Sequence, residues 1–153
     1  MMIPYDRLID LTKIGRGEFG EVLVGVLETD ISASSNKIHQ NHKENGTTDE
    51  NAIQPQQRLD VMVKSLSKIK DETFFVEFRR QIDLYRAVDS KNVVKLLALC
   101  FEKDHHFMVL EQSRELKGFL MENTETSTRQ LISFSQQIAS GLDAIAKSKL
   151  THR

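Results

Sequence analysis

The chain has 153 residues, 39% hydrophobic and 28% charged, and its 21 Lys+Arg against 22 Asp+Glu leave a formal net charge of −1. That balance excludes binding to nucleic acid through a basic face, and no apolar run approaches the roughly 18 residues needed to cross a bilayer, so this segment is expected to make no membrane contact itself. The N-terminus, Met1-Met2-Ile3-Pro4-Tyr5, lacks the basic region and apolar stretch of an export signal, and the single cysteine, Cys100, makes no internal disulfide. The expectation is a soluble chain in a reducing compartment, the cytoplasm.

Leu8 to Ile14 and Glu21 to Leu27 read as strands separated by Gly15, Gly17 and Gly20, with Val22, Val24 and Val26 alternating against Leu23 and Gly25. This predicts a hairpin. Residues 28–58 are rich in Ser, Asn, Gln, Thr and His and offer little to a core, which predicts a disordered insertion. The alternative is a domain linker, but the flanking segments look like strands of one sheet. Leu59 to Leu66 gives a third strand, with Val61 and Val63 on the face opposite Met62 and Lys64. Over Glu72 to Val88, Phe75, Phe78, Ile82 and Tyr85 recur at helical spacing. Val93 to Phe101 and His106 to Leu110 are short enough for strands. Ser127-Thr128-Arg129-Gln130 fits a capping box ahead of a helix whose stripe is Leu131, Phe134, Ile138, Leu142 and Ile145.

Two motifs carry chemistry. Gly15-Arg16-Gly17-Glu18-Phe19-Gly20-Glu21-Val22 fits GxGxxGxV, in which glycines let the backbone approach a phosphate chain. Alone it is equally an ordinary hairpin turn. A dinucleotide-binding turn would open a helix, whereas the residues after Gly20 alternate as a strand does. Strand, turn, strand resembles the glycine-rich flap of protein kinases. Val61-Met62-Val63-Lys64 is similar to that family's VAIK strand, whose lysine meets the ATP phosphates; a lone strand lysine is usually only solvated, and the preceding flap gives Lys64 its functional reading.

With these motifs the chain resembles the N-terminal lobe and first C-lobe helices of a protein tyrosine kinase domain, over Leu8 to Leu27 and Leu59 to Arg153. Asn92-Val93-Val94-Lys95-Leu96-Leu97 is similar to the family's fourth strand, Phe107-Met108-Val109-Leu110-Glu111 to its fifth, and Gln137-Ile138-Ala139-Ser140-Gly141-Leu142 to helix E. Within the family, VMVKSL, EFRRQIDLY, NVVKLLALC and FMVLE look closest to receptor tyrosine kinase-like pseudokinases of the Off-track and colon-carcinoma-kinase type. The resemblance implies an α+β fold: a five-stranded antiparallel sheet with helix C over 8–111, then a hinge and helices D and E of an incomplete C-lobe over 112–153. It implies a cytoplasmic domain of a single-pass plasma-membrane receptor, with signalling proteins as partners.

The same resemblance exposes departures. Gln81 stands where active kinases carry the glutamate that pairs with the strand-three lysine; Glu77, one turn earlier, would replace it after a register shift. Met62 stands where a small alanine usually roofs the adenine pocket, and a longer thioether narrows the cleft or simply packs the core. Leu110 takes the gatekeeper position, and Glu111, Gln112 and Ser113 offer hinge backbone groups. ATP or an analogue is therefore expected to bind weakly or vestigially. Leu150-Thr151-His152-Arg153 resembles the start of the HRD catalytic loop, ending before its aspartate, so neither magnesium binding nor phosphotransfer is expected of this chain alone.

Other reactive residues are set aside. Cys100 reads as a small buried hydrophobe, His105 and His106 beside Asp104 as a hairpin tip, and His39 and His42 lack supporting ligands, so no metal is assigned. The stripe of the last helix is expected to lack partners and limit solubility. The leading reading is a catalytically impaired, kinase-like signalling scaffold. Its competitors are part of an active ATP-dependent tyrosine kinase and a free-standing interaction module.

Overall fold

The computed structural model describes residues 1–30, 56–66, 72–102 and 105–152. Five antiparallel strands, β1 Leu8–Arg16, β2 Glu21–Asp30, β3 Gln56–Ser65, β4 Leu96–Glu102 and β5 His105–Glu111, form one sheet in the order β1-β2-β3-β5-β4. Helix α1, Glu72–Ala87, connects the β3 side of the chain to β4, and α2, Leu116–Glu122, and α3, Thr128–Lys147, follow β5. The architecture is the expected α+β one.

Alternation along the strands divides the core in two. Val61, Val63, Ala98, Cys100 and Val109 are fully buried on one face with Leu8 and Leu27. Leu66, Leu99 and Met108 point the other way and meet Phe78 and Ile82 of α1. Burying each such side chain contributes about 1.5–3 kcal/mol, which fixes the register. Phe75, placed by periodicity on the buried stripe, is 37% exposed, and Phe74 packs against the core instead.

Three boundaries differ from the sequence expectation. Glu28, Thr29 and Asp30 pair with Arg58, Gln57 and Gln56, so both ends of the proposed disordered insertion are strand, and its middle lies outside the described residues. Composition misled there because a ladder needs paired backbones and cross-strand partners more than a core: Arg58 reaches the Glu28 carboxylate at 2.9 Å. β4 begins at Leu96 rather than Val93, since Ser90 accepts from the Asn92 N–H through its hydroxyl and from the Val93 N–H through its carbonyl, holding a turn. Residues 1–3, given no structural role by the sequence, cover the edge of β4: Leu99 N–H donates to Met1 O and Ile3 N–H to Leu99 O, both at 2.9 Å. Tyr5 then stacks on His105, ring centroids 4.1 Å apart.

β1 carries a bulge. Thr12 pairs with Val24 and Ile9 with Val26, leaving Asp10 and Leu11 opposite Gly25 alone, with Asp10 in the left-handed region at φ 55°. A Cβ on Gly25 would stand 2.8 Å from the Ile9 carbonyl oxygen and from Leu11 Cδ2. Gly25→Ala is expected to cost about 1 kcal/mol, read as a lower thermal midpoint.

Ser127 caps α3, its hydroxyl accepting from the Gln130 N–H at 3.3 Å, as the capping motif predicts. The predicted stripe is largely uncovered: Leu131, Ile138 and Leu142 are 41–51% exposed, while Phe134 meets Phe119 of α2 edge-to-face at 5.9 Å.

Candidate functional site

The β1–β2 turn closes on a 2.7 Å hydrogen bond from the Gly17 N–H to the Gly20 carbonyl. No described glycine has positive φ, so what glycine supplies here is room rather than handedness: a Cβ on Gly17 would sit 3.3 Å from Val22 Cγ2. At the tip, Phe19 turns inward and is 4% exposed, edge-to-face with Phe78 at 5.6 Å and with Phe74 at 6.5 Å. This aromatic contact pins the turn to α1.

A second tie runs to β3. The buried Ser65 hydroxyl accepts from the Glu21 N–H at 2.9 Å and donates to the Glu21 carbonyl at 3.2 Å. The Glu21 carboxylate faces outward to Lys13 at 2.5 Å, whose hydrogen bond and charge hold it below the usual carboxylate range. The turn is thus clamped on both flanks before any ligand enters.

Lys64 projects from β3 toward α1. Its Nζ donates to Tyr85 Oη at 3.2 Å and lies 5.7 Å from the ring centroid. Gln81 instead directs its amide to Glu18 Oε2 on the turn at 3.5 Å, and Glu77 takes both hydrogen bonds of Arg80, at 2.7 and 2.5 Å. Neither the expected partner position nor its one-turn alternative pairs with the lysine.

Gly17, Gly20, Val22, Lys64 and Gln81 therefore converge, with Glu18, Phe19, Glu21 and Ser65, on a cleft of about 80 Å³. Pockets for drug-sized ligands run to about 300–1,000 Å³, so this cleft is smaller than such a pocket. The lysine ammonium and turn N–H groups are donors of the kind a polyphosphate needs, whereas the Gly17 N–H and the Ser65 hydroxyl are already engaged with the Gly20 and Glu21 carbonyls.

The other expected site residues lie outside this cleft. Gly15 pairs with Val22 in the β1–β2 ladder, and Met62 pairs with the fully buried Leu110 between β3 and β5. The Glu111 N–H donates to Lys95 O at 2.9 Å, and Gln112 and Ser113 continue as exposed, irregular chain. At the end of α3, Lys149 adopts φ 57° and the Leu150 N–H reaches back to Ile145 O, a cap that leaves His152 exposed; Arg153 lies outside the described residues. Among the described residues no group of His, Cys, Asp and Glu has metal-binding geometry. Cys100 is fully buried, and desolvation with the nearby Glu102 charge pushes its thiol pKa up, away from reactivity.

Sequence reasoning missed Phe19, Ser65 and Tyr85. Phe19 reads as a turn residue, although an aromatic between glycines is an unusual choice for a solvated tip. Tyr85 stood on the apolar stripe, and only its spacing of four from Gln81 hinted at a shared face.

The family model for protein tyrosine and serine/threonine kinases matches residues 8–153. The chain is 36% identical over 216 aligned residues to the Tyrosine-protein kinase-like otk of Drosophila mojavensis, an alignment covering 100% of this chain and 21% of that protein. It is 36% identical over 207 residues to the Drosophila erecta protein of the same name and 35% over 207 to the Drosophila melanogaster one, each covering 100% of this chain and 20% of the relative. The chain thus spans about a fifth of the length of these curated relatives. No helix among the described residues is long and apolar enough to cross a membrane.

Proposed function

The chain belongs to the protein tyrosine and serine/threonine kinase family, and on that premise we propose that it carries the nucleotide cleft of a catalytically impaired kinase-like domain that signals by binding other proteins. The observation that supports this most directly is the neutral Gln81, turned to Glu18, on the helix face where an acid would clamp Lys64. Phosphoryl transfer depends on positioning and charge stabilisation, and a neutral amide offers roughly half the strength of a charge-assisted partner.

When bound, ATP would supply the transferable phosphoryl group. The turn amides between Gly17 and Gly20 and the Lys64 ammonium would hold its phosphates, beside the buried Phe19 that lines the same cleft. In the same reading the domain works on the cytoplasmic side of the plasma membrane, within a longer receptor.

Titration of the purified protein with a fluorescent ATP analogue tests the reading. Micromolar or weaker affinity is expected, falling about 10- to 100-fold in Lys64→Met, the effect of one lost hydrogen bond from a charged group. Nanomolar affinity, or phosphate transfer to a tyrosine copolymer at the rate of an active kinase, would overturn it.

A further inference from the structure

Positions 77, 81 and 85 lie on one face of α1. Glu77 is turned to Arg80 and Gln81 to Glu18, whereas Tyr85 receives the lysine at its hydroxyl. We propose that Tyr85 is the positioning residue of Lys64, holding the amine over the cleft where no acid among the described residues does; the claim rests on the nucleotide-cleft reading above.

The packing explains why a tyrosine serves here. Its ring is half-buried against the cluster of Phe19, Leu66, Phe78 and Ile82, which restricts the ring and so aims the hydroxyl. A phenol differs from a carboxylate in one decisive respect: it orients the ammonium without cancelling its charge. One of the three amine donors is spent on Oη and two are left for a ligand, while Tyr85 adds no further negative charge to a cleft that Glu18 and Glu21 also line. The arrangement suits an anionic ligand of the phosphate class.

Tyr85→Phe deletes the hydroxyl and keeps the ring, so a role limited to packing predicts no change at Lys64. The test is the rate of Lys64 acylation by a soluble N-hydroxysuccinimide ester, measured by mass spectrometry relative to the other lysines in the ligand-free protein. The expected result is an increase of about 5-fold in Tyr85→Phe, the equivalent of one hydrogen bond, with return to the wild-type rate in Tyr85→Phe/Gln81→Glu, where a carboxylate takes over. Affinity for a fluorescent ADP analogue should fall and recover in parallel. An unchanged Lys64 rate in Tyr85→Phe overturns the proposal whether or not nucleotide binds. A raised Lys64 rate in Tyr85→Phe, together with a wild-type protein that binds no nucleotide, upholds the role of Tyr85 and removes the nucleotide-cleft reading.

Discussion

Phe78→Ala will lower the stability of the domain by about 3–5 kcal/mol, the usual cost of truncating a buried aromatic, and will release the glycine-rich turn in the same step. Phe78 is 1% exposed and stands where α1, the sheet and the turn meet. Its ring lies 5.6 Å from Phe19 and 6.5 Å from Phe101, so its removal takes contacts from both. The stability loss is read from the urea midpoint. Release of the turn is read from proteolysis and amide exchange over residues 17–22, which should quicken under conditions where the rest of the chain remains folded. Phe19→Ala separates the two effects: it removes the pin from the turn side, leaves α1 on the sheet, and should give the faster turn exchange at a smaller stability cost. Unchanged turn exchange in both variants would show that the Ser65 tie alone holds it.

The same cluster marks the limit of what the sequence discloses. Strand alternation exposed β1 to β3 and the two faces of the sheet, because Val61, Val63 and Lys64 differ enough in polarity for a period of two to be unmistakable. The glycine spacing and the strand lysine likewise pointed to residues that line one cleft, Gly17, Gly20 and Lys64. The lysine's partner was not legible, since a tyrosine on an apolar stripe serves packing and hydrogen bonding with the same atoms. Ser65 was hidden for a related reason: its hydroxyl satisfies the backbone of Glu21, 44 residues away in sequence, and no local pattern announces such a pairing. The strand ends at 28–30 and 56–58 were obscured by polar composition, which reports the lack of a core and not the lack of a ladder.

Gly141→Val will undock α3 and cost about 3 kcal/mol, the upper range for forcing a side chain into a packed contact. Gly141 is the one buried residue of α3, and a Cβ there would fall 2.7 Å from the carbonyl oxygen of Asn92 in the turn before β4. That obstacle is backbone and cannot swing aside. The polar contacts around it depend on the same close approach: Asn92 Nδ2 donates to Ser140 Oγ at 2.9 Å, and Ser148 Oγ lies 3.3 Å from Ala87 O while sharing its one hydrogen with Ala144 O at 3.1 Å. Both would lengthen together once the helix is pushed away, which is why the expected loss exceeds that of Gly25→Ala, where a single strand bulge has to move. Chemical-shift changes confined to residues 88–95 and α3, with the β1–β3 signals unmoved, are the expected signature. A Gly141→Val protein that melts with the wild type and keeps its Asn92 side-chain amide shift would show that the helix is not seated on this turn in solution.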